Sequence, residues 1–235
     1  LPGVYGAGAV QTLMNVYGVM PGRRVLMVGA GNIGLIVSYQ LKQAGVDIAG
    51  IVEFMPHVGG YWVHAAKVRR LGIPIYLRHT IVEALGERYV TGAVIQAVGE
   101  KGGLAGEPKK IDCDVICMAV GLTPTCELLW QAGCEMVFVP ELCGYVAKRD
   151  NQMRTSVPTI WVAGDAAGIE EASSAMVEGR VAGLNAARST GHVTDTEFDA
   201  RSSLYWKRLS DLRAGPVGEK IRYGISQACC GSWEV

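Results

Sequence analysis

The chain has 235 residues and a formal net charge of zero, which is enough for one large domain or two small ones with a hydrophobic core. Charged residues make up only 19% and no long basic block occurs. This composition excludes a disordered chain and predicts no nucleic-acid partner. Glycine is frequent, at 31 residues, and has no Gly-X-Y period, which indicates special backbone geometry.

The first half of the chain predicts a strand, a glycine-rich turn, a helix and a second strand. Val25 to Val28 form an apolar run typical of a buried parallel strand. Helical spacing of apolar residues runs from Ile33 to Ala44, and a second strand ends at Glu53. We expect a right-handed crossover between these strands. Further along we predict a helix over 61–71 and a strand over 73–77. A β-meander is predicted over 81–85, 89–98 and 110–120, with a flexible stretch at 99–108.

The break at Gly121-Leu122-Thr123-Pro124 predicts a domain boundary. Beyond it we predict a short helix over 126–131 and two strands over 145–147 and 159–163. Two further helices are predicted over 171–187 and 199–212. Together the elements predict an α/β fold of Rossmann type, with a parallel sheet, helices on both faces and a β-meander crossover.

The motif Gly29-Ala30-Gly31-Asn32-Ile33-Gly34 lies between the first strand and the first helix. In this context the three glycines permit a tight turn, the approach of a pyrophosphate and close helix packing. The helix N-terminus favours an anion. The motif therefore predicts a dinucleotide site that includes Gly29, Gly31, Asn32, Ile33 and Gly34; the alternative is a turn that serves packing alone.

Glu53 follows Gly34 by 19 residues, where a ribose-binding carboxylate is expected. It can accept hydrogen bonds from both ribose hydroxyls but would repel a 2′-phosphate, so NAD is preferred over NADP. Lys67, Arg69 and Arg70 are the main argument for NADP, although a solvated helix face is their ordinary interpretation.

A second block, from Thr155 to Gly168, predicts a loop, a buried strand that ends at Gly164-Asp165, and the approach to a helix. An acid at the carboxyl end of a parallel strand lies where open α/β sheets bind ligands. A helix cap is the alternative role for Asp165.

The two blocks, in this order, resemble the FAD- and NAD(P)-linked pyridine nucleotide–disulphide oxidoreductases. In that family an NAD domain is inserted into a split FAD domain, whose second half carries T-x-x-P-x-(I/V)-(Y/F/W)-x-x-G-D. The resemblance implies that Asp165, after Gly164, binds the flavin ribityl chain. It also implies that Gly121 lies at the junction between the domains. The opening of the chain is similar to flavoprotein subunits of amino-acid dehydrogenases and hydrogen cyanide synthase.

The resemblance implies four segments, with residues 1–20 as a linker from a missing FAD half-domain and 21–120 as the NAD domain. Residues 121–192 are then the second half of the FAD domain, and 193–235 have no assigned role. The first FAD fingerprint of the family does not occur in the sequence, and the chain begins at Leu1. We therefore expect a piece of a longer polypeptide that binds FAD only when intact.

Seven cysteines occur without a C-x-x-C or C-x4-C pair, and only four histidines are present, so no metal site is predicted. A thioredoxin-reductase role is disfavoured, while a disulphide reductase with its pair upstream stays open. The cysteine pattern favours a reducing cytoplasm. The uncharged stretches 1–22 and 25–41 are interrupted by polar residues and glycines, so no membrane span is predicted.

The expected function is hydride exchange between NAD(H) and FAD, with onward electron transfer to an unknown substrate. No catalytic acid, base or nucleophile is predicted, because the cofactors carry the chemistry. The alternative is a non-catalytic subunit that uses a nucleotide fold for assembly. We also expect self-association or other subunits, because apolar residues such as Ile160 and Val162 would otherwise lack cover.

Overall fold

The computed structural model describes residues 1–230, and the chain divides between Val120 and Gly121 into two units. The sequence break at Gly121 falls at the same point. The first unit contains, in chain order, β1 Val4–Gly6, α1 Ala7–Asn15, β2 Arg24–Val28, α2 Asn32–Gln43, β3 Asp47–Glu53, α3 Trp62–Arg70, β4 Ile75–Leu77, β5 His79–Leu85, β6 Gly92–Val98, β7 Leu104–Ile111 and β8 Val115–Met118.

A five-stranded parallel sheet, in the order β1-β8-β2-β3-β4, organises the first unit. Successive side chains of a strand point to opposite faces, and those of β2 are buried on both faces. Val25 and Met27 belong to the hydrophobic cluster that includes residues of α1, α2 and α3. Leu26 and Val28 belong to the cluster that includes residues of β6. The strand is therefore apolar throughout because both faces of the sheet are covered.

The predicted α/β class with a parallel sheet is confirmed, but among the described residues the helices pack against one face of the sheet and not against both, as was predicted. The meander β5-β6-β7, through Ala93 and Ile95, packs against one face of the sheet, while the helices pack against the other. The edge strand β7 also begins at Leu104, inside the stretch predicted to be flexible. Its side chains are exposed from Leu104 to Lys110, so no apolar alternation marked it in the sequence.

Residues 1–20, for which we predicted a linker, contribute a strand and a helix to the first unit. Val4 pairs with Ile116 and Gly6 with Met118 in the parallel register of β1 and β8. Ala7 and Val10 of α1 are buried in the helix-side cluster. A three-residue strand is too short to show a period in sequence, and its pairing partner lies more than 100 residues away.

The second unit is built from a two-stranded sheet and helices. Its strands pair antiparallel, with Tyr145 opposite Phe138, and short 3₁₀ segments cover Pro140–Leu142 and Gly164–Ala167. The strands and α-helices of this unit, in chain order, are α4 Glu127–Gln131, β9 Met136–Val139, β10 Gly144–Ala147, α5 Ala172–Ser189, α6 Asp195–Leu212 and α7 Gly215–Ala228.

The predicted buried strand at 159–163 is wrong. Within residues 1–230, pairing there is limited to an isolated bridge between Trp161 and Arg154, and a strand needs a continuous neighbour. Val162 is nevertheless buried, in a cluster with Cys134, Ala147 and Ala167, against which Ile160 also packs. The reason we gave for self-association therefore fails at these two residues.

The C-terminal segment, to which the sequence assigned no role, forms two helices as far as it is described. The first, α6, begins at Asp195, four residues before the predicted start, where the Thr194 hydroxyl caps the Glu197 N–H. The second, α7, was not predicted, because its two internal glycines, Gly218 and Gly224, lower helix propensity. Among the helices of residues 1–230, none is long and apolar enough to cross a membrane.

Candidate functional site

The glycine loop between β2 and α2 has a backbone that excludes side chains at two positions. Gly29 has a φ of +105°, and a Cβ atom there would collide with the carbonyl oxygen of Ala119. At Gly34 a Cβ atom would collide with the carbonyl oxygen of Gly29. The Gly29 N–H also donates to Val52 O at 2.7 Å. The loop therefore closes tightly on the ends of β3 and β8, as a phosphate-binding turn requires.

Gly31 is different, because the space beside it is open. It precedes the first residue of α2 with a φ of −72°, and a Cβ atom there would have no neighbour within 4 Å. The N–H groups of the first helical turn have no partner within the helix. Together with the helix dipole they attract an anion. The open space at Gly31 and the start of α2 thus fit a pyrophosphate, and Ile33 in this turn is exposed.

Glu53 lies at the carboxyl end of β3 and binds the glycine loop directly. Its Oε2 accepts a hydrogen bond of 2.7 Å from the Ala30 N–H, and its Oε1 accepts one of 2.8 Å from the Met55 N–H. A carboxylate offers about four acceptor positions. Since Glu53 is only partly buried, both carboxylate oxygens can still accept hydrogen bonds from ribose hydroxyls.

The segment after β3 is tied to the same loop, which we did not predict from the sequence. The Gly60 N–H donates to Ala30 O at 3.0 Å, and the Tyr61 N–H donates to Asn32 Oδ1 at 2.8 Å. The side chain of Asn32 thus tethers this segment to the start of α2. The Gly59-Gly60 pair was the sequence signal, since adjacent glycines permit close backbone approach.

The basic residues considered for NADP all lie in the last turn of α3. The Lys67 ammonium lies 5.3 Å from the centre of the Tyr39 ring, while Arg69 and Arg70 are exposed in the last turn of α3. Arg78 was not considered. Its N–H donates to Met55 O at 3.1 Å, and its φ is +50°. The structure therefore brings an exposed arginine beside the residues that follow Glu53.

In the second unit, Gly164 and Asp165 form a turn beside the first turn of α5. We call residues 164–168 the Gly-Asp loop. Gly164 has a φ of +69°, and its N–H donates to Glu178 Oε2 at 2.8 Å. Asp165 is exposed, and within residues 1–230 its carboxylate has no protein hydrogen-bond partner, so it can accept one from a ligand hydroxyl. Gly121, at the start of this unit, has a φ of +144° and open space around its Cβ position.

Glu178 belongs to a cluster of four charged residues, three of them buried and the fourth, Glu170, partly buried. Its Oε1 accepts hydrogen bonds from Arg149 at 2.8 Å and from Arg213 at 2.6 Å. Arg213 also binds Glu170 through Nε at 3.0 Å and Nη2 at 2.7 Å. We call Arg149, Glu170, Glu178 and Arg213 the charge cluster. Its two arginines and two carboxylates balance, which is what burial of charge requires.

Burial alone would raise the pKa of the Glu178 carboxyl. The charges of Arg149 and Arg213 and the hydrogen bonds that they donate outweigh burial and lower the pKa from 4.5 to about 2. Glu178 is therefore ionised at neutral pH, and its two oxygens accept from Gly164 and from both arginines. It anchors the Gly-Asp loop as a fixed negative charge.

The sequence reasoning missed this cluster, although a signal was present. Ser174, Glu178 and Asn185 are buried polar residues of α5, at helical spacings of four and seven. They fall on the same side of the helix as the apolar Val177 and Val181. A glutamate on an apolar helix stripe indicates a buried ion pair, but its partners cannot be read from the stripe.

The cysteines of the first unit are poor nucleophiles. Burial, chiefly, raises the pKa of Cys113 to about 11 and that of Cys117 to about 12. All seven cysteines are free thiols. Within residues 1–230 no group of three or more His, Cys, Asp or Glu could hold a metal ion.

The chain is similar to several known proteins. It is 28% identical to one of the subunits of the opine oxidase of Rhizobium meliloti, over 84% of this chain and 40% of that protein. It is 26% identical to hydrogen cyanide synthase subunit HcnB of Pseudomonas aeruginosa, over 93% of this chain and 50% of that protein. The chain thus spans half or less of the length of these two relatives.

Among solved structures, the thioredoxin reductase of T. acidophilum superposes on 80% of this chain and 58% of its own, with a TM-score of 0.65 and 23% identity. This likeness shows the fold. The model of the pyridine nucleotide-disulphide oxidoreductase family matches residues 2–179, which include the glycine loop, Glu53 and the Gly-Asp loop. The chain belongs to the pyridine nucleotide-disulphide oxidoreductase family.

Proposed function

We propose that this chain is part of a flavin-dependent oxidoreductase that exchanges a hydride between NAD(H) and FAD. The observation that carries the proposal is the hydrogen bond between Glu53 and the Ala30 N–H. It holds a carboxylate against the glycine loop, which has open space at Gly31, the residue before α2. Ribose hydroxyls and a pyrophosphate need these two features side by side.

Each cofactor has residues that fit it. The N–H groups of the first turn of α2 would bind the NAD(H) pyrophosphate across Gly31, and Glu53 would orient the adenosine ribose. Asp165, exposed beside the anchored Gly164, would accept hydrogen bonds from the flavin ribityl hydroxyls. The bound cofactors supply the hydride chemistry, and this chain supplies binding and orientation.

NAD is the preferred nicotinamide cofactor in this proposal. A 2′-phosphate would lie near the Glu53 carboxylate and be repelled by it. Arg78, whose N–H binds Met55 O, is the basic residue that could offset this repulsion. NADH should therefore bind more tightly than NADPH, and Arg78→Ala should weaken NADPH binding more than NADH binding.

The onward path of the electrons is proposed from the relatives. The matched proteins of opine oxidase and hydrogen cyanide synthase are both named as subunits, which supports assembly of this chain with other subunits. In our proposal a second substrate of that assembly receives the electrons. The same names support a second candidate, a non-catalytic assembly subunit. Sedimentation of the native protein tests assembly, and NADH binding separates the two candidates.

NADH binding to the wild type and to Glu53→Ala, followed by fluorescence titration, tests the proposal. We expect Glu53→Ala to weaken binding by about tenfold or more, since two hydrogen bonds to a charged acceptor are lost. Glu87→Ala, at an exposed turn residue, is the control and should bind like the wild type. Absence of NADH binding up to millimolar concentration, or equal affinity in Glu53→Ala, would contradict the enzyme and favour the assembly subunit.

Flavin content tests the other half of the proposal. The native polypeptide, purified at its natural length, should carry FAD, and NADH should bleach the flavin absorption. Asp165→Ala should reduce the FAD content, whereas Asp199→Ala, at an exposed position of α6, should not. A native protein without flavin that also cannot be loaded with FAD would contradict hydride exchange.

A further inference from the structure

Arg213 joins the two C-terminal helices and is buried although it carries a charge. It follows the last residue of α6 and is only 2% exposed. Its carbonyl oxygen accepts a hydrogen bond from Arg222 of α7, and a Cβ atom at Gly218 would collide with the same oxygen. The side chain and the backbone of Arg213 are therefore both held, one by the charge cluster and the other by α7.

The guanidinium of Arg213 spans the start of α5. It binds Glu170, which lies just before α5, and Glu178, which lies in the second turn of the helix. These contacts join residues 43 and 35 positions apart in the sequence. The planar guanidinium suits two carboxylates at fixed positions, which a lysine ammonium does not. Arg213 thus fixes Glu178 relative to the segment that leads into α5.

Glu178 passes this restraint to the Gly-Asp loop. Oε1 of Glu178 accepts hydrogen bonds from Arg149 and Arg213, and Oε2 accepts one of 2.8 Å from the Gly164 N–H. Arg149 in turn donates to Val162 O at 3.5 Å, so the cluster contacts the chain on both sides of Ala163. The Asp165 carboxylate, one residue beyond Gly164, is positioned by this frame.

The energetics favour a positioning role over a purely stabilising one. Burial of ion pairs costs desolvation that their attraction only partly offsets, so such clusters are a weak source of stability. One nitrogen, Arg213 Nη1, is buried without a hydrogen-bond partner among the described residues. A cluster kept in spite of these costs is consistent with fixing geometry at a site.

We propose that the C-terminal helices hold the Gly-Asp loop in its flavin-binding geometry, with Arg213 as a positioning residue that acts through Glu178 on Gly164. This inference rests on the proposed function, since it assigns flavin to the Gly-Asp loop. It gives a role to part of the C-terminal segment, for which the sequence indicated none. Arg213 itself does not contact the cofactor in this proposal.

The test compares FAD dissociation constants of the native full-length protein and its variants after removal and reloading of FAD, together with the visible circular dichroism of the bound flavin. Arg213→Gln should weaken FAD binding by roughly tenfold and alter the dichroism, because the loop loses its frame. Arg213→Lys should restore part of the affinity. The exposed Arg208→Gln on α6 is the matched control and should change neither property.

A second variant keeps the test decisive if Arg213→Gln does not fold. Glu170→Gln removes one partner of Arg213 and leaves Glu178 in place, so we expect a folded protein with a smaller loss of FAD affinity and the same kind of change in dichroism. Wild-type affinity and dichroism in folded Arg213→Gln or, failing that, in Glu170→Gln would overturn the inference. NADH binding should stay unchanged in every folded variant. If the wild type itself binds no FAD, the proposed function fails.

Discussion

The glycine loop of the first unit is held by backbone contacts and by one partly exposed carboxylate, that of Glu53, whereas the Gly-Asp loop of the second unit is held by a carboxylate buried among charges. The contacts of Gly29 and Gly34 involve backbone carbonyl groups of the ends of neighbouring strands or of the loop itself. Gly164 instead depends on Glu178, which needs two arginines from other segments to remain ionised. Two loops of similar expected use thus differ in what keeps them in place.

This difference predicts different sensitivities. Backbone hydrogen bonds between neutral groups persist through most side-chain substitutions, so the glycine loop should be vulnerable mainly at its glycines and at Glu53, which accepts from the Ala30 N–H. Removing one member of a buried ion cluster leaves its partners charged and desolvated. The Gly-Asp loop should therefore respond to substitutions far from it in the sequence.

The largest expected effect is that of Glu178→Gln. It leaves Arg149 and Arg213 without their shared carboxylate, and we expect the free energy of unfolding of the second unit to fall by about 3–5 kcal/mol. Urea unfolding followed by tryptophan fluorescence measures it. The control is Glu197→Gln, which removes an exposed pair with Arg201 and should cost about 0.5 kcal/mol or less. Equal effects of the two substitutions would refute the role of buried charge.

The second prediction concerns pH. Because the pKa of Glu178 is lowered to about 2, its contribution to stability is present above the unfolded value of about 4.3. It is lost as the pH falls through the folded value. The stability difference between wild type and Glu178→Gln should be constant from pH 7 to 5 and shrink at pH 4 and 3. A gap that stays constant to pH 3 would count against the lowered pKa.

The third prediction compares the effects of substituting Gly29 and Gly31 of the glycine loop. Gly29→Ala should destabilise the first unit by about 1–3 kcal/mol, because φ is positive and the methyl group meets Ala119. Gly31→Ala should leave stability unchanged, since its surroundings are open, but weaken NADH binding about tenfold by occupying the pyrophosphate path. Thermal unfolding and NADH titration measure the two effects. Loss of stability in both variants would show that the openness of Gly31 is irrelevant.

The smallest effect concerns thiol reactivity. Cys113 and Cys117 are buried with raised pKa values, so they should react with a disulphide reagent at pH 8 only after urea unfolds the first unit. The exposed Cys230 should react in the native protein and serves as the internal control. Rapid native labelling of Cys113 or Cys117, located by peptide mapping, would show that the first unit opens locally.

Much of the first unit could be predicted from the sequence because its signals are local. The strand before Gly29, the helix after Gly34 and the strand that ends at Glu53 form one βαβ unit, with apolar periods that report burial directly. The spacing of Glu53 from the glycines also predicted a carboxylate near the loop, and the structure places one there. Its binding of NAD stays a prediction.

Features that depend on distant residues were decided only by the tertiary structure. The short strand at Val4–Gly6 exists because β8 offers a partner, while the apolar run at 159–163 forms no strand because, among the described residues, only Arg154 pairs with it. A β-ladder is a property of two segments, and apolar content alone cannot supply the second.

The sequence by itself therefore determined the glycine loop, its acid and the α/β class, because backbone geometry and burial periods are written within about thirty residues. The tertiary structure alone decided what surrounds the Gly-Asp loop. Glu178 and Arg213 lie 35 residues apart in the sequence and 2.6 Å apart in space. A buried charge can persist only where folding brings its counter-charges to it.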